Sequence, residues 1–241
     1  LWEPSMSAWQ NVFSDTSIRV FGRTIVVGLV VTFVTLVFGY PLAYFLRFHL
    51  SLSAGILLLL FLVIPFWTNG LIRVIGWIPV LGRTGVINQF LLWTGLINQP
   101  ISWLLFSPFS QIVGYLQNYV VFMAAPIYIS LAQIDEDLLD ASETLRGDPI
   151  ATFRYVTWPL SLPGVAIGAM FVFVLSIGDL IVPQFLSGGE STVSSLIYLA
   201  VSTGLNYPAA SALSIALLVV ILVFITLLFR AVDISEITRG E

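Results

Sequence analysis

The sequence predicts an all-α, polytopic membrane helical bundle with about five transmembrane helices. Three observations predict it. Of 241 residues, 58% are hydrophobic and 9% charged, with a mean hydropathy of +1.00, whereas soluble domains carry roughly 25% charged residues. The apolar residues gather into runs long enough, at about 1.5 Å per helical residue, to cross a hydrocarbon core of roughly 30 Å. The polar residues concentrate in the interruptions between those runs, the largest being 135–164, which holds six of the thirteen acidic residues.

Taken in order, residues 1–24 mix Trp2, Trp9, Phe13 and Phe21 with Arg19 and Arg23, a composition suited to the membrane-water boundary. They are expected to form an outer interfacial segment ahead of a transmembrane domain spanning 25–232. The first crossing is expected from Ile25 to Leu46, with Gly39 and Pro41 near its end. The second is expected from Ala54 to about Trp67, with an extension through Ile78 as its longer reading, and Pro65 and Gly70 break it. From Thr68 to Trp103 the chain is too polar for bare lipid and too apolar for a free loop, and reads as a bent or interfacial helical hairpin. A third crossing runs from about Pro108 to Leu131 and carries Gln111, Gln117, Asn118 and Tyr119, amides that face a bundle interior rather than lipid. The fourth is expected from Gly164 to about Leu186 and the fifth from Ala210 to Arg230. Ser187–Ala209 reads as an outer loop with a short helix, and 233–241 as a cytoplasmic tail.

Composition excludes several chemistries. All nine basic residues are arginine, so no Walker A lysine exists and any ATP is bound elsewhere. With no cysteine and His49 as the only histidine, no His/Cys zinc site can be assembled within the chain. His49, beside Arg47, reads as an ordinary interfacial residue. An intramembrane enzyme lacks a nucleophile-base pair, and nothing points to nucleic acid.

The interruption at 133–163 reads as two short helices with a turn between them. Asp135 or Asp137 can cap the first by accepting orphan N–H groups of its first turn. Gly147 sits where a left-handed residue would stop it, and Asp148-Pro149 restarts the chain as N-cap and first helical residue. Pro159 and Pro163 are expected to end the second helix. A polar helical knob of this kind suits docking onto a partner.

Its residues also carry a resemblance. Asp140-Ala141-Ser142, then Gly147, then Trp158-Pro159-Leu160 and Leu162-Pro163-Gly164 resemble the "EAA…G…LP" loop of binding-protein-dependent ABC importer permeases. Asp140 replaces the usual Glu, Ser142 the second Ala, and the interval from Gly147 to Pro159 is one residue shorter. The runs Gly39-Tyr40-Pro41-Leu42-Ala43-Tyr44 and Gly82-Arg83-Thr84-Gly85-Val86-Ile87-Asn88 with Gly95-Leu96-Ile97 resemble the polyamine-type subfamily, as do Gly178-Asp179, Val182-Pro183 and Ser187-Gly188-Gly189.

The resemblance implies a cytoplasmic coupling helix that docks on ABC ATPase subunits, two copies per assembly, through Asp137, Asp140, Ala141, Ser142, Glu143, Arg146, Gly147 and Asp148. It also implies a second permease subunit, homologous or identical, an extracytoplasmic solute-binding protein, a lipid environment and the bacterial inner membrane. ATP and Mg would sit on the partner ATPase, with no cofactor on this chain. Import of a polyamine, an opine or a similar small organic solute by alternating access would follow. With the loop inside, Arg47, Arg146, Arg154, Arg230 and Arg239 lie on the cytoplasmic side and Arg19, Arg23, Arg73 and Arg83 outside, a weak positive-inside bias. Five crossings then put residue 1 outside, whereas the family begins inside. An upstream sixth span is therefore expected in the full-length protein, consistent with a start at Leu1.

Asp179 is the one carboxylate inside a strongly apolar run. An ionised group at bilayer depth costs roughly 2.5 to 3.5 kcal/mol, so it should face protein or a wet cavity. It either lines the substrate path or caps a broken helix or pairs with Arg73 or Arg83. Trp67, Trp77, Tyr115, Tyr119 and Gln117 are further candidates for that path, the aromatics because ring faces hold cations. The rival reading is an ion-coupled secondary transporter with Asp179 as the coupling carboxylate.

Overall fold

The computed structural model describes residues 7–144 and 148–232. Among the described residues every regular element is helical. A short α1 (Ser7–Val12) precedes α2 (Asp15–Phe48), whose 34 residues run through Pro41 without a break. The boundary expected at residue 24 therefore falls inside a helix. Asp15 lies in the first turn, where a carboxylate complements the positive dipole end, and Arg47 lies in the last.

The second crossing is shorter than its neighbours. Ser51 caps α3 (Leu52–Val63) by accepting from Ala54 N–H, and the helix tightens into a 3-10 turn at Ile64–Trp67 where Pro65 removes a donor. Three short helices follow: α4 (Gly70–Ile75), α5 (Ile78–Leu81) and α6 (Val86–Trp93). α7 (Pro108–Ala132) matches the third expected crossing. α8 (Glu136–Thr144) and α9 (Pro149–Thr152) form the polar interruption.

Here the structure corrects the sequence reading. Pro159 and Pro163 do not end a helix. α9 passes through a π-helical turn, Phe153–Thr157, directly into α10 (Trp158–Gly178). The wider turn lies where the ring of Pro159 would meet the carbonyl of Tyr155, four residues back, so the helix continues past a residue that would normally break it. The fourth crossing is accordingly 149–178 rather than 164–186. It stops at Asp179, after which come α11 (Ile181–Leu186), α12 (Val193–Ser202) with a Thr192/Ser195 capping box, and α13 (Tyr207–Ala231).

Five helical stretches are long and apolar enough to cross a membrane: Asp15–Phe48, Gly70–Trp93, Pro108–Ala132, Pro149–Gly178 and Tyr207–Ala231, with Leu52–Trp67 shorter. By its contacts the chain forms two compact units. The first holds residues up to Val31, Pro65–Asn118 and Val174–Leu222; the second holds Thr32–Ile64, Tyr119–Phe173 and the chain from Val223.

In the first unit, Val12, Ala212 and Leu213 form a small core with Phe21, Leu196 and Ile197 packed on it. Thr24 Oγ1 accepts from Val193 N–H at 3.2 Å, and Arg23 pairs with Glu190, fastening α2 to the start of α12. Ser110 Oγ donates to Leu186 O at 2.7 Å, so the N-terminus of α7 satisfies a terminal carbonyl of α11.

In the second unit, helices approach closely at small residues, as is usual where lipid supplies no hydrophobic drive. A Cβ built on Gly39 would lie 2.9 Å from Met123 Cγ, and one on Gly168 would lie 3.0 Å from Met123 O. Phe173 stacks on Phe224 with centroids 3.7 Å apart.

Candidate functional site

Two places concentrate the polar chemistry, one in each unit. In the second unit it is the elbow formed by α8, α9 and the π-helical turn. Asp135 Oδ1 accepts from Asp137 N–H at 3.1 Å and so caps α8; of the two expected caps it is Asp135 that acts. Asp148 Oδ1 accepts from Ala151 N–H at 2.7 Å with Pro149 at the first helical position, as the sequence predicts. The side chains of Ser142 and Thr152 share a hydrogen bond of 2.8 Å, which pins α8 to α9.

The residues nominated for docking therefore divide. Asp137, Asp140 and Ala141 are exposed along α8. Ser142 and Asp148 also hold the elbow's own geometry. Glu143 belongs to α8, and Arg146 and Gly147 lie outside the described residues. Sequence reasoning missed Ile150 and Tyr155, 74% and 72% exposed on the α9 side, with Leu138 on α8 at 48%. The signal was available: an isoleucine one residue after an Asp-Pro helix start, within a polar loop, has no core to reach.

The elbow is rooted in the end of α2. Tyr40 packs edge-on to Phe153 at 5.7 Å and against Trp158 at 5.2 Å, and Tyr44 reaches Phe153 at 6.3 Å. The segment 39–44 and the segment 153–159, each singled out in the sequence for separate reasons, are one aromatic cluster.

In the first unit the polar centre is the break between α10 and α11. Asp179 Oδ1 accepts from Ile181 N–H at 2.7 Å and Val182 N–H at 3.2 Å, so the carboxylate caps the restarted helix. Tyr115 and Gln111, 1% and 3% exposed, are buried one helical turn apart on α7, in the same compact unit as Asp179. Gln117 is half-buried on α7, and its Oε1 and the Oδ1 of buried Asn118 are enclosed without a hydrogen-bond partner among the described residues.

Trp67 is 86% exposed at the end of the 3-10 turn, Trp77 is half-buried between α4 and α5, and Tyr119 is buried in the second unit beside Phe122. The Arg73 guanidinium donates to Pro65 O at 2.7 Å and lies over the Phe66 ring. No group of three or more His, Cys, Asp or Glu side chains that could hold a metal ion occurs among the described residues.

Five helical stretches able to cross a membrane, a polar break after α10 and an exposed elbow before it are the build of a multi-pass membrane protein. The chain belongs to the family described as binding-protein-dependent transport system inner membrane component, whose profile matches residues 36–237. It is thus a permease subunit of a binding-protein-dependent ABC importer and not an enzyme.

Among its relatives are the spermidine/putrescine transport system permease protein PotB of Escherichia coli (strain K12), 34% identical over 84% of this chain and 74% of that one, and that of Haemophilus influenzae, 30% identical over 92% and 78%. The inner membrane ABC transporter permease protein YdcU of E. coli is 26% identical over 95% and 76%. The crystal structure of a bacterial alginate ABC transporter in complex with alginate pentasaccharide-bound periplasmic protein contains a chain of the same fold, with TM-score 0.71 and 18% identity over 96% of this chain and 82% of that one.

Proposed function

We propose that this subunit carries a small organic cation of the polyamine or opine kind inward by alternating access, driven by ATP bound with Mg on two partner ATPase subunits. The observation that carries the reading is the elbow: a two-helix projection with exposed Asp137, Asp140, Ala141 and Ile150, pinned internally by Ser142 and Thr152 and continuous through the π-helical turn with a crossing helix. An element of that build transmits a push on α8 or α9 along α10 instead of absorbing it in a flexible loop. A second permease chain, homologous or identical, completes the pore, and an extracytoplasmic binding protein delivers the solute.

Relatives named for spermidine and putrescine support a cationic substrate. So does Asp179, whose charge lowers the cost of dehydrating an amine on the path. Arg146 and Gly147 belong to the proposed docking site by sequence. An ion-coupled transporter using Asp179 would leave the elbow without a role. The test is Ile150→Asp in the assembled complex: the ATPase should no longer copurify, while the permease stays in the membrane. Intact assembly with substrate-stimulated ATP hydrolysis would overturn the docking assignment.

A further inference from the structure

The segment between α3 and α7 is long and apolar enough to cross a membrane, with 24 residues from Gly70 to Trp93. It does not form a rod. Its helices have 6, 4 and 8 residues, and the longest covers about 12 Å of a core of roughly 30 Å. At the turn before α6, a Cβ on Gly85 would lie 2.7 Å from the carbonyl oxygens of both Pro79 and Val80. Irregular backbone with converging carbonyls is not stable against bare hydrocarbon.

One face of α6 is locked inward. Asn88 is fully buried, and its Nδ2 donates to Gly82 O and Ile101 O, each at 3.0 Å, while its Oδ1 accepts from Ile101 N–H at 2.7 Å. The amide thus clamps the turn before α6 to the strand of chain after it. The opposite face presents Val86, Phe90 and Trp93, spaced as i, i+4 and i+7, at 65%, 58% and 83% exposure. The polar side chain among them, Gln89, turns its Nε2 back to Thr84 O at 2.9 Å. Exposed Arg83 stands just before this stripe, while Arg73 is engaged with Pro65 and Phe66.

We infer that α4–α6 is a lipid-docking hairpin that lies in the membrane interface rather than crossing the bilayer, with Val86, Phe90 and Trp93 in the acyl boundary and Arg83 on lipid phosphate. An apolar stripe of aliphatic and aromatic side chains with a cation at its polar end matches the order of acyl chain, glycerol region and anionic headgroup.

The chain contains no cysteine, so single nitroxide labels can be placed at Val86→Cys, Phe90→Cys and Trp93→Cys in the full complex, with partner cysteines removed, in phosphatidylethanolamine/phosphatidylglycerol nanodiscs. The expected result is collision with oxygen exceeding collision with water-soluble nickel chelate at all three, at a shallow depth. Nickel dominating, protection from both reagents as under a protein partner, or a depth at the bilayer centre would each overturn the proposal. Arg83→Gln should raise nickel access at the Phe90→Cys label about twofold in anionic discs and leave it unchanged in discs of neutral lipid. Equal access in both would remove Arg83 from the headgroup.

Discussion

The Tyr40 hydroxyl donates to Ser161 Oγ at 2.9 Å, across 121 residues of chain. The direction follows from proton counting. Ser161 spends its one hydroxyl proton on Trp158 O, also at 2.9 Å, so the shared proton must come from the tyrosine. Tyr40 is 7% and Ser161 0% exposed. The bond ties the end of α2 to the first turn of α10, just above the π-helical turn through which the proposed docking elbow must act.

That direction predicts an asymmetry. Tyr40→Phe leaves an acceptor unmet and keeps the Ser161–Trp158 bond, and should cost about 1 kcal/mol. Ser161→Ala strands a buried hydroxyl donor on Tyr40 and should cost about 2 to 3 kcal/mol. Thermal unfolding of the solubilised complex should therefore fall further for Ser161→Ala than for Tyr40→Phe. Equal losses would contradict the assignment.

The Ser142–Thr152 bond makes a second prediction. If it pins the elbow, Ser142→Ala and Thr152→Val should each loosen α8, and the double variant should be no worse than either alone, with a coupling of about 1 kcal/mol. Backbone hydrogen exchange across Glu136–Thr144 is the direct readout. Faster exchange in the single variants that does not increase further in the double variant is expected. Asp148→Ala should accelerate exchange over Pro149–Thr152 instead, losing an N-cap of about 1 kcal/mol, and Asp148→Ser should restore it.

Asp179 separates two roles by chemistry. Capping needs an oxygen acceptor and not a charge, so Asp179→Asn should assemble normally while Asp179→Leu should not. A cation path needs the charge. Asp179→Asn is therefore expected to raise the uptake KM for a cationic solute about tenfold, equivalent to about 1.4 kcal/mol, with the amount of complex unchanged. Unaltered uptake would leave Asp179 as a cap alone.

The sequence showed the parts of this fold that rest on local chemistry. Pro108–Ala132 and Tyr207–Ala231 emerge from apolar runs, and Asp148-Pro149 from the stereochemistry of a helix start. It misjudged positions where distant packing overrides a local rule. Pro159 and Pro163 look like terminators, yet the π-helical turn makes room for the first and α10 continues past both. For Asp179 the sequence left a place on the path and a cap on a broken helix both open, and the structure shows the cap at the end of α10. In the elbow, the motif residues were legible while their division was not. Ser142 faces Thr152, a hydrogen bond that requires knowing how α8 folds back on α9, whereas Ile150 is exposed because nothing packs over it.

Two glycines in crossing helices should respond to the same substitution with opposite sign. Gly22 in α2 has no atom within 4 Å of a built Cβ, so Gly22→Ala only exchanges a poor helix former for the best one and should stabilise by up to about 1 kcal/mol. A Cβ on Gly164 would lie 2.5 Å from Pro126 O and 2.6 Å from Ser130 Oγ. The hydroxyl can rotate away, but the carbonyl is backbone beside a proline and can yield only if α7 and α10 separate. Gly164→Ala should therefore destabilise by about 1 to 3 kcal/mol despite the gain in helix propensity. Thermal unfolding of the two variants in the same detergent checks it. A rise in Tm for both would mean that α7 and α10 do not make this close approach.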